Sequence, residues 1–182
     1  MMEAYPGTII SENTRFRYPH SLTMLPNSII DDFGYFSTQL MIGSYCHIAS
    51  HAHISGGPER TVTLGDFCAL AARVSIICSS NDYMTGLLGF FDEPDYYSGG
   101  DVSFGEMTGC GVGCTILWDN YVPEGTVLAG RCFVRPGENL EPWTIYSPDP
   151  NDSYGLAVVG EIGYRKRFRD RILRQREKVE NE

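Results

Sequence analysis

The most constraining feature of this sequence is an apolar residue at every sixth position, a period that is neither the 3.6 residues of an α-helix nor the two of a β-strand. The residues concerned are Met24, Ile30, Phe36, Ile42, Ile48, Ile54, Leu64, Leu70, Ile76, Phe104, Cys110, Ile116, Val122, Leu128 and Val134. A small residue usually follows four positions later, as at Ser28, Cys46, Cys68 and Thr126. One large and one small inward side chain per hexad indicate a short strand followed by a corner. Units this short bury a face only by stacking, so the pattern predicts an all-β parallel β-helix solenoid.

Three hexads make one triangular coil, and the repeat predicts about five coils between about residues 24 and 146. Residues eighteen positions apart then lie on the same face of successive coils, about 4.8 Å apart as neighbouring parallel strands. A four-residue insertion interrupts the repeat after Ile54, and about twenty-two extra residues follow Ile76. The second interruption predicts a long inserted loop over about 82–103. Loops of that length inside a compact domain usually serve function.

Length and composition indicate one domain, because 182 residues suffice for a sizeable core and no linker divides the chain. The first residues, MMEAYPGTIISENTR, lack the basic and apolar segments of a secretory signal. No apolar run reaches the length that membrane insertion needs. We therefore expect a cytoplasmic protein.

The net charge of −9 is unevenly distributed, because eight of the fourteen basic residues follow Gly163. In this basic tail, Tyr164, Phe168 and Ile172 stand at helical spacing and predict a C-terminal α-helix over about 161–180. Such a helix either caps the solenoid, with its arginines on the acidic body, or captures a phosphorylated ligand. An acidic body without a basic stripe argues against nucleic acid as a partner.

Six cysteines raise the question of disulfides, a metal or a nucleophile. Five of them stand at inward positions of the repeat, and no CxxC pair occurs. Free cysteines in such positions behave as small buried hydrophobic residues, so we expect inert core thiols. Only Cys78 stands off the inward positions.

Four segments carry a family resemblance: IGSYCHIASHAHISGG, LGDFCALAARVSIICSSNDY, CGVGCTILWDNYVPEGTVLAGRCFV and LEPWTIY. Together they resemble the hexapeptide-repeat acyltransferases, nearest to bacterial sugar O- and N-acetyltransferases of surface-polysaccharide pathways. The resemblance implies a left-handed parallel β-helix, a homotrimer with active sites between neighbouring subunits, and acetyl-CoA along the C-terminal coils. It also implies a sugar or nucleotide-sugar acceptor whose hydroxyl or amine attacks the thioester, often with a histidine as general base.

The position of that base differs in this chain. Many relatives have Ser-Ser-His-Asp-Tyr at the start of the long loop, where this chain has Asn81 and Asp82 after two serines. Asparagine orients a substrate but takes no proton at neutral pH, so we expect Asn81 and Asp82 to position the acceptor. The candidate replacement bases are His53 and, second, His47. Both precede an inward isoleucine and should point outward from successive faces of one coil; the alternative for each is a surface or subunit-contact histidine.

The resemblance also supplies candidate cofactor-binding residues, which are Gly111, Gly113, Ala129, Gly130, Arg135 and Trp143. The four small residues either leave room for the pantetheine arm of acetyl-CoA or form solenoid corners. Arg135 is the cation nearest to a position where relatives often carry a lysine. Trp143 either closes the last coil or flanks the adenine.

No metal is expected, because the positions facing the two histidines on the next coil carry no third ligand. Stacking places Ala69 against His47, and Ala71 or Ser75 against His53. The sequence therefore predicts an acetyl-CoA-dependent acetyltransferase. Two alternatives stay open: a catalytically silent hexapeptide-repeat scaffold, and a metal enzyme like the carbonic anhydrases built on the same solenoid.

Overall fold

The computed structural model describes residues 3–4, 7–81 and 97–163, and positions 167, 170, 171 and 174. The described chain is almost entirely β-structure, with a short 3₁₀ helix at Pro19–Ser21. The strands are β1 (Glu3–Ala4), β2 (Ile9–Ile10), β3 (Arg15–Phe16), β4 (Leu22–Met24), β5 (Ile29–Ile30), β6 (Tyr35–Ile42), β7 (His47–Ile48), β8 (His53–Leu64), β9 (Ala69–Leu70), β10 (Ser75–Ile77), β11 (Ser79–Asn81), β12 (Tyr97–Gly99), β13 (Val102–Phe104), β14 (Gly109–Cys110), β15 (Thr115–Leu117), β16 (Asn120–Val122), β17 (Val127–Leu128), β18 (Phe133–Val134), β19 (Thr144–Pro148) and β20 (Leu156–Glu161).

Parallel pairing between successive turns winds these strands into a β-solenoid of about six turns. Each turn has three faces. Face 1 contains β1, β4, the end of β6, the end of β8, β13 and β16. Face 2 contains β2, β5, β7, β9, β14, β17 and β19. Face 3 contains β3, the start of β6, the start of β8, β10, β15 and β18.

The core lies inside the solenoid and includes the large apolar residues that the repeat predicts. All fifteen large apolar residues of the repeat are buried, with at most 4% of their surface exposed. Burying each side chain of this size contributes about 1.5–3 kcal/mol relative to leaving it exposed. The small inward residues satisfy their polar atoms within the stack. Ser28 Oγ, for example, donates to the carbonyl of Gly43 (2.7 Å) and accepts from the backbone N–H of Cys46 (2.9 Å).

The predicted count of five coils omitted the first turn. This turn pairs with the second at a separation of twenty residues, as in Ile10 with Ile30, because the Pro19–Ser21 helix lies between the two turns. Ile10 and Phe16 follow the six-residue period, but eight positions separate Phe16 from Met24. The first turn therefore shows too short a run of the six-residue period to be recognised in the sequence.

The regular parallel ladder resumes after both interruptions of the repeat. Within β8 the chain bulges between Ile54 and Leu64, and the pairing with β6 shifts at Thr38. After β10 the chain leaves the solenoid through β11, which pairs antiparallel with β12. It returns in β13, where Phe104 pairs with Leu64 on face 1. Residues 82–96 of the predicted loop lie outside the described residues.

At the C-terminal end, β20 folds back antiparallel onto β19 and extends face 2. The predicted helix over about 161–180 lies mostly outside the described residues, and its first position, Glu161, belongs to β20. No helix in the described part of the chain combines the length and apolar character of a membrane-crossing segment.

Candidate active site

His47 lies in β7 on face 2, with 52% of its side chain exposed. Its Nε2 is 2.9 Å from Oδ2 of Asp31, which follows β5 on the preceding turn. Hydrogen bonds hold the backbone of Asp31 on both sides: its N–H donates to the carbonyl of Ile48 (2.9 Å), and its carbonyl accepts from the Thr14 hydroxyl (2.8 Å). Adjacent turns thus present a paired histidine and carboxylate on the outer surface.

A shallow groove of about 490 Å³ runs along face 2 from His47 towards the C-terminal turns. Most of its outward-facing lining residues are small: Ala49, Ala69, Ala71, Ala72, Gly109, Gly111 and Ala129. One column of residues, each opposite the next on successive turns, consists of His47, Ala69, Gly109 and Val127. Three strand spacings separate the ends of this column, a length of about 14 Å. The groove therefore fits a long, thin ligand with one end beside His47.

The three predicted cofactor-binding glycines lie at the corner between faces 2 and 3. A Cβ on Gly111 would lie 2.5 Å from the backbone nitrogen of Gly130, so the close approach of successive turns requires glycine there. Gly113 has a φ of +70°, which side chains rarely tolerate. Ala129 lines the groove and packs partly against the core. Backbone geometry accounts for Gly111 and Gly113, whereas Ala129 lines the groove beside His47.

Arg135 lies past face 3, at the corner that leads back to face 1. Its guanidinium is 3.6 Å from Glu138 and 3.7 Å from Asp152, and about half of its side chain is exposed. Two carboxylates therefore compete with any phosphate for this cation.

Trp143 lies at the third corner, between faces 1 and 2. A Cβ on Gly125 would lie 2.3 Å from the indole ring, so the ring packs directly on the glycine backbone. The indole Nε1 donates to Glu124 (3.2 Å). The six predicted cofactor-binding residues thus fall on three different corners, and only Gly111 and Ala129 line the groove that contains His47.

His53 lies at the start of β8 on face 3 and is half-buried. Its ring stacks on Tyr35 of the preceding turn, with centroids 5.5 Å apart and planes inclined by 27°. Ser75 faces it on the next turn. Asn81 ends β11 and pairs with Tyr97 across the antiparallel ladder. Asp82 lies outside the described residues.

All six cysteines are free and buried. They include Cys78, which the repeat did not place inside and which is 0% exposed. Burial raises the pKa of the Cys78 thiol to about 12, and burial also raises the pKa of Cys110 well above its ordinary value. Among the residues that the structure describes, no cluster of three or more His, Cys, Asp or Glu side chains is arranged to hold a metal ion.

The sequence reasoning missed Asp31, Ala49, Ala69 and Ala71 as parts of this site. Their signal was present, because each stands one position before or after a large inward residue and therefore faces outward on face 2. Reading the outward residues in columns finds the run of small side chains. The pairing of Asp31 with His47 cannot be found without side-chain positions, because Asp31 lies just after β5 and the residue opposite His47 is Ile29.

The sequence matches no protein-family model and no curated protein. Solved structures of AntD, an N-acyltransferase from Bacillus cereus, share the fold. The complex of AntD with dTDP and 3-hydroxybutyryl-CoA has a TM-score of 0.77 at 21% identity, covering 97% of this chain and 92% of that chain. A variant of AntD in complex with dTDP-4-amino-4,6-dideoxyglucose and coenzyme A has a TM-score of 0.74 at 23% identity, covering 91% and 87%. Another variant, in complex with dTDP and coenzyme A, has a TM-score of 0.75 at 21% identity and covers 100% and 93%.

Proposed function

We propose that this protein transfers an acyl group from a coenzyme A thioester to an amine or hydroxyl group of a sugar. The observation that carries the proposal is the face 2 groove, which is floored by methyl groups and backbone and ends at His47. The fold shared with AntD supports it, since those structures hold coenzyme A and thymidine nucleotides. We infer that a nucleotide-linked sugar is the acceptor class.

The donor side of the proposal rests on the size of the outward residues. Ala49, Ala69 and Ala71 all line the groove and are at least partly exposed, yet none has a side chain beyond Cβ. Ala69 keeps the 14 Å column open for an extended chain such as a pantetheine arm, and Ala49 and Ala71 keep the neighbouring column of the groove open beside it. With the thiol end beside His47, the nucleotide end lies towards the last turns.

The chemical step is direct attack on the thioester. The acceptor nitrogen or oxygen forms a bond to the acyl carbon, its proton passes to His47, and the carbon–sulfur bond breaks to release the coenzyme A thiolate. The imidazolium then returns the proton to the thiolate. A general base placed in this way raises the reaction rate about 10²–10⁴-fold. His53 is the alternative base, and Asn81 and Asp82 are the proposed acceptor-positioning residues.

Finer features of the proposal follow from the family resemblance. We infer an acetyl donor, membership of the hexapeptide-repeat acyltransferases with a left-handed coil, and a homotrimer in the cytoplasm that acts in polysaccharide or nucleotide-sugar metabolism. The proposed C-terminal helix caps the solenoid or contacts a neighbouring subunit. Size-exclusion chromatography with light scattering tests the trimer.

A thiol-release assay tests the central proposal. The purified chain is mixed with acetyl-CoA or 3-hydroxybutyryl-CoA and a panel of sugars, nucleotide sugars and nucleotide amino sugars. We expect acceptor-dependent release of coenzyme A with at least one nucleotide sugar. Absence of turnover with every acceptor contradicts the enzyme assignment. Retained coenzyme A binding by calorimetry would in that case favour the silent scaffold.

A matched pair of tryptophan variants tests the groove. Ala69→Trp places a large ring in the middle of face 2, and we expect it to weaken coenzyme A binding at least about tenfold because the ring occupies the ligand's path. Thr63→Trp places the same ring on face 1 of the same turn and serves as the control. Equal affinities of the two variants, measured by calorimetry, would show that coenzyme A does not lie in this groove.

A further inference from the structure

We propose that Asp31 is a positioning residue that fixes the tautomer and orientation of His47 for proton transfer, an inference that rests on the proposed acyl transfer. The carboxylate accepts a hydrogen bond from the Nε2–H of His47. The lone pair then lies on Nδ1, and this nitrogen takes the proton from the attacking amine or hydroxyl. No role in the reaction had been expected for Asp31 from the sequence.

The geometry supports a fixed pair. The Nε2–Oδ2 distance of 2.9 Å is that of a good hydrogen bond. The backbone of Asp31 is held by Ile48 and Thr14, and the N–H of His47 donates to the carbonyl of Cys68 (2.9 Å). His47 therefore stands on a strand of the parallel ladder, and Asp31 stands directly after one, with its backbone hydrogen-bonded to the next turn. Within residues 7–81 and 97–163, the His47 side chain makes no other hydrogen bond.

The surroundings explain why orientation is the main contribution of Asp31. In the ladder, His47 lies between Ile29 on the preceding turn and Ala69 on the following turn, and neither side chain can orient an imidazole. The pair is also about half exposed, at 52% for the histidine and 42% for the aspartate. Exposed ion pairs add little to stability because water and salt screen them. The main effect of this hydrogen bond is therefore to orient the imidazole of His47, and its contribution to the folding stability of the protein is small.

The proton balance of the step is complete without another reactant. The acceptor N–H or O–H gives its proton to Nδ1 as its heavy atom bonds to the acyl carbon. The carbon–sulfur bond breaks, and the departing thiolate takes the proton back. During this interval His47 is an imidazolium, and the negative charge of Asp31 stabilises it through the hydrogen bond to Nε2. Loss of Asp31 should slow the chemical step without changing how acyl-CoA lies in the groove.

Asp32 provides a matched control one position away. Its Oδ1 accepts hydrogen bonds from Ser11 and from Asn13 (3.1 Å), on the first turn. The hydrogen bond from Ser11 is the largest cause of a lowered pKa for Asp32, so this carboxylate is charged under the same assay conditions as any ordinary aspartate. Removing either carboxylate changes the net charge equally, but only Asp31 contacts His47.

The experiment is a double-mutant cycle in the thiol-release assay. We expect Asp31→Ala to lower kcat at least about tenfold, with KM for acyl-CoA changed less than about threefold, and Asp32→Ala to leave both nearly unchanged. Asp31→Asn should retain part of the rate, because its amide oxygen still accepts from Nε2–H. In a His47→Ala background, Asp31→Ala should cause no further loss, since the aspartate acts through the histidine.

A second readout does not depend on turnover. Nitrogen-15 NMR of the histidine rings should show the Nε2–H tautomer for His47 in the wild type and in Asp32→Ala, and a mixture of tautomers in Asp31→Ala. Equal kcat values for the two alanine variants, or the same Asp31→Ala loss with and without His47, overturn the inference while leaving acyl transfer in place. A wild-type chain with no turnover overturns the proposed function, and a mixed wild-type tautomer overturns the pairing itself.

Discussion

Faces 2 and 3 each present one of the two histidines considered as the base, and the two settings differ. On face 2, His47 is half exposed, hydrogen-bonded to the carboxylate of Asp31, and next to a groove lined by small side chains. On face 3, His53 is half-buried and stacked on Tyr35, near the bulge of β8. The two residues are six positions apart in the sequence, yet they lie on different sides of a corner. In this fold, residues one turn apart share a chemical setting, whereas sequence neighbours often do not.

The largest expected effect concerns Cys78, which lies between β10 on face 3 and β11 of the antiparallel β11–β12 pair. With a pKa of about 12, its thiolate fraction at pH 8 is about one in ten thousand, against about a quarter for an ordinary cysteine. We therefore expect Cys78 to react with a thiol reagent at least about 10³-fold more slowly in the native protein than in guanidinium chloride. Mass spectrometry of the labelled peptides measures this, and rapid native labelling of Cys78 would show that this edge of face 3 is open.

The second effect compares the histidines directly. His47→Ala should lower kcat about 10²-fold, because it removes the proton acceptor beside the groove. His53→Ala should lower it less than about threefold, because the lost contact is a ring stack on face 3. Steady-state kinetics of the two variants, with melting temperatures as the folding control, decide between them. The reverse order of losses would place the base on face 3.

The smallest expected effect concerns Gly111 at the edge of face 2, and it distinguishes a role in backbone packing from a role in ligand contact. Gly111→Ala should destabilise the protein by about 1–3 kcal/mol, because its new Cβ meets the backbone of the next turn. Ala71→Ser occupies the same column one turn earlier and should change stability by less than about 0.5 kcal/mol. Denaturant unfolding measures both. A stable Gly111→Ala variant with weakened coenzyme A binding would instead favour a ligand contact at this glycine.

The fold was predictable in large part because one period governs both the large and the small inward residues. Ile54, Ile76 and Ile116 lie in the predicted column, and the two interruptions do not disturb it. The first turn was not found, because the 3₁₀ helix at Pro19–Ser21 lengthens one step from six positions to eight. Only Ile10 and Phe16 precede that step at the six-residue period, and two apolar residues are too few to reveal a turn.

The candidate site was predictable only in part. The repeat indicated that His47 faces outward, and Gly111 and Ala129 were named as candidates before either was known to line the same groove. The family resemblance grouped Arg135 and Trp143 with them as cofactor-binding candidates, whereas in the structure these residues lie at other corners of the solenoid. The hydrogen bond between Asp31 and His47 depends on the rotamers of two side chains on adjacent turns, and no periodic pattern specifies rotamers. The roles of all these residues stay predictions until they are tested.

The unbroken register across the β10–β13 interval has a consequence for how such a protein can diverge. Neighbouring turns normally close after eighteen residues, whereas Ile76 pairs with Ile116, forty residues later. The entropic cost of closing a flexible loop grows only with the logarithm of its length. Closing forty residues instead of eighteen therefore costs about 0.7 kcal/mol more. A lineage can therefore lengthen, shorten or replace the intervening segment at little thermodynamic cost. The segment and the face 2 groove are free to evolve at different rates on one unchanged frame.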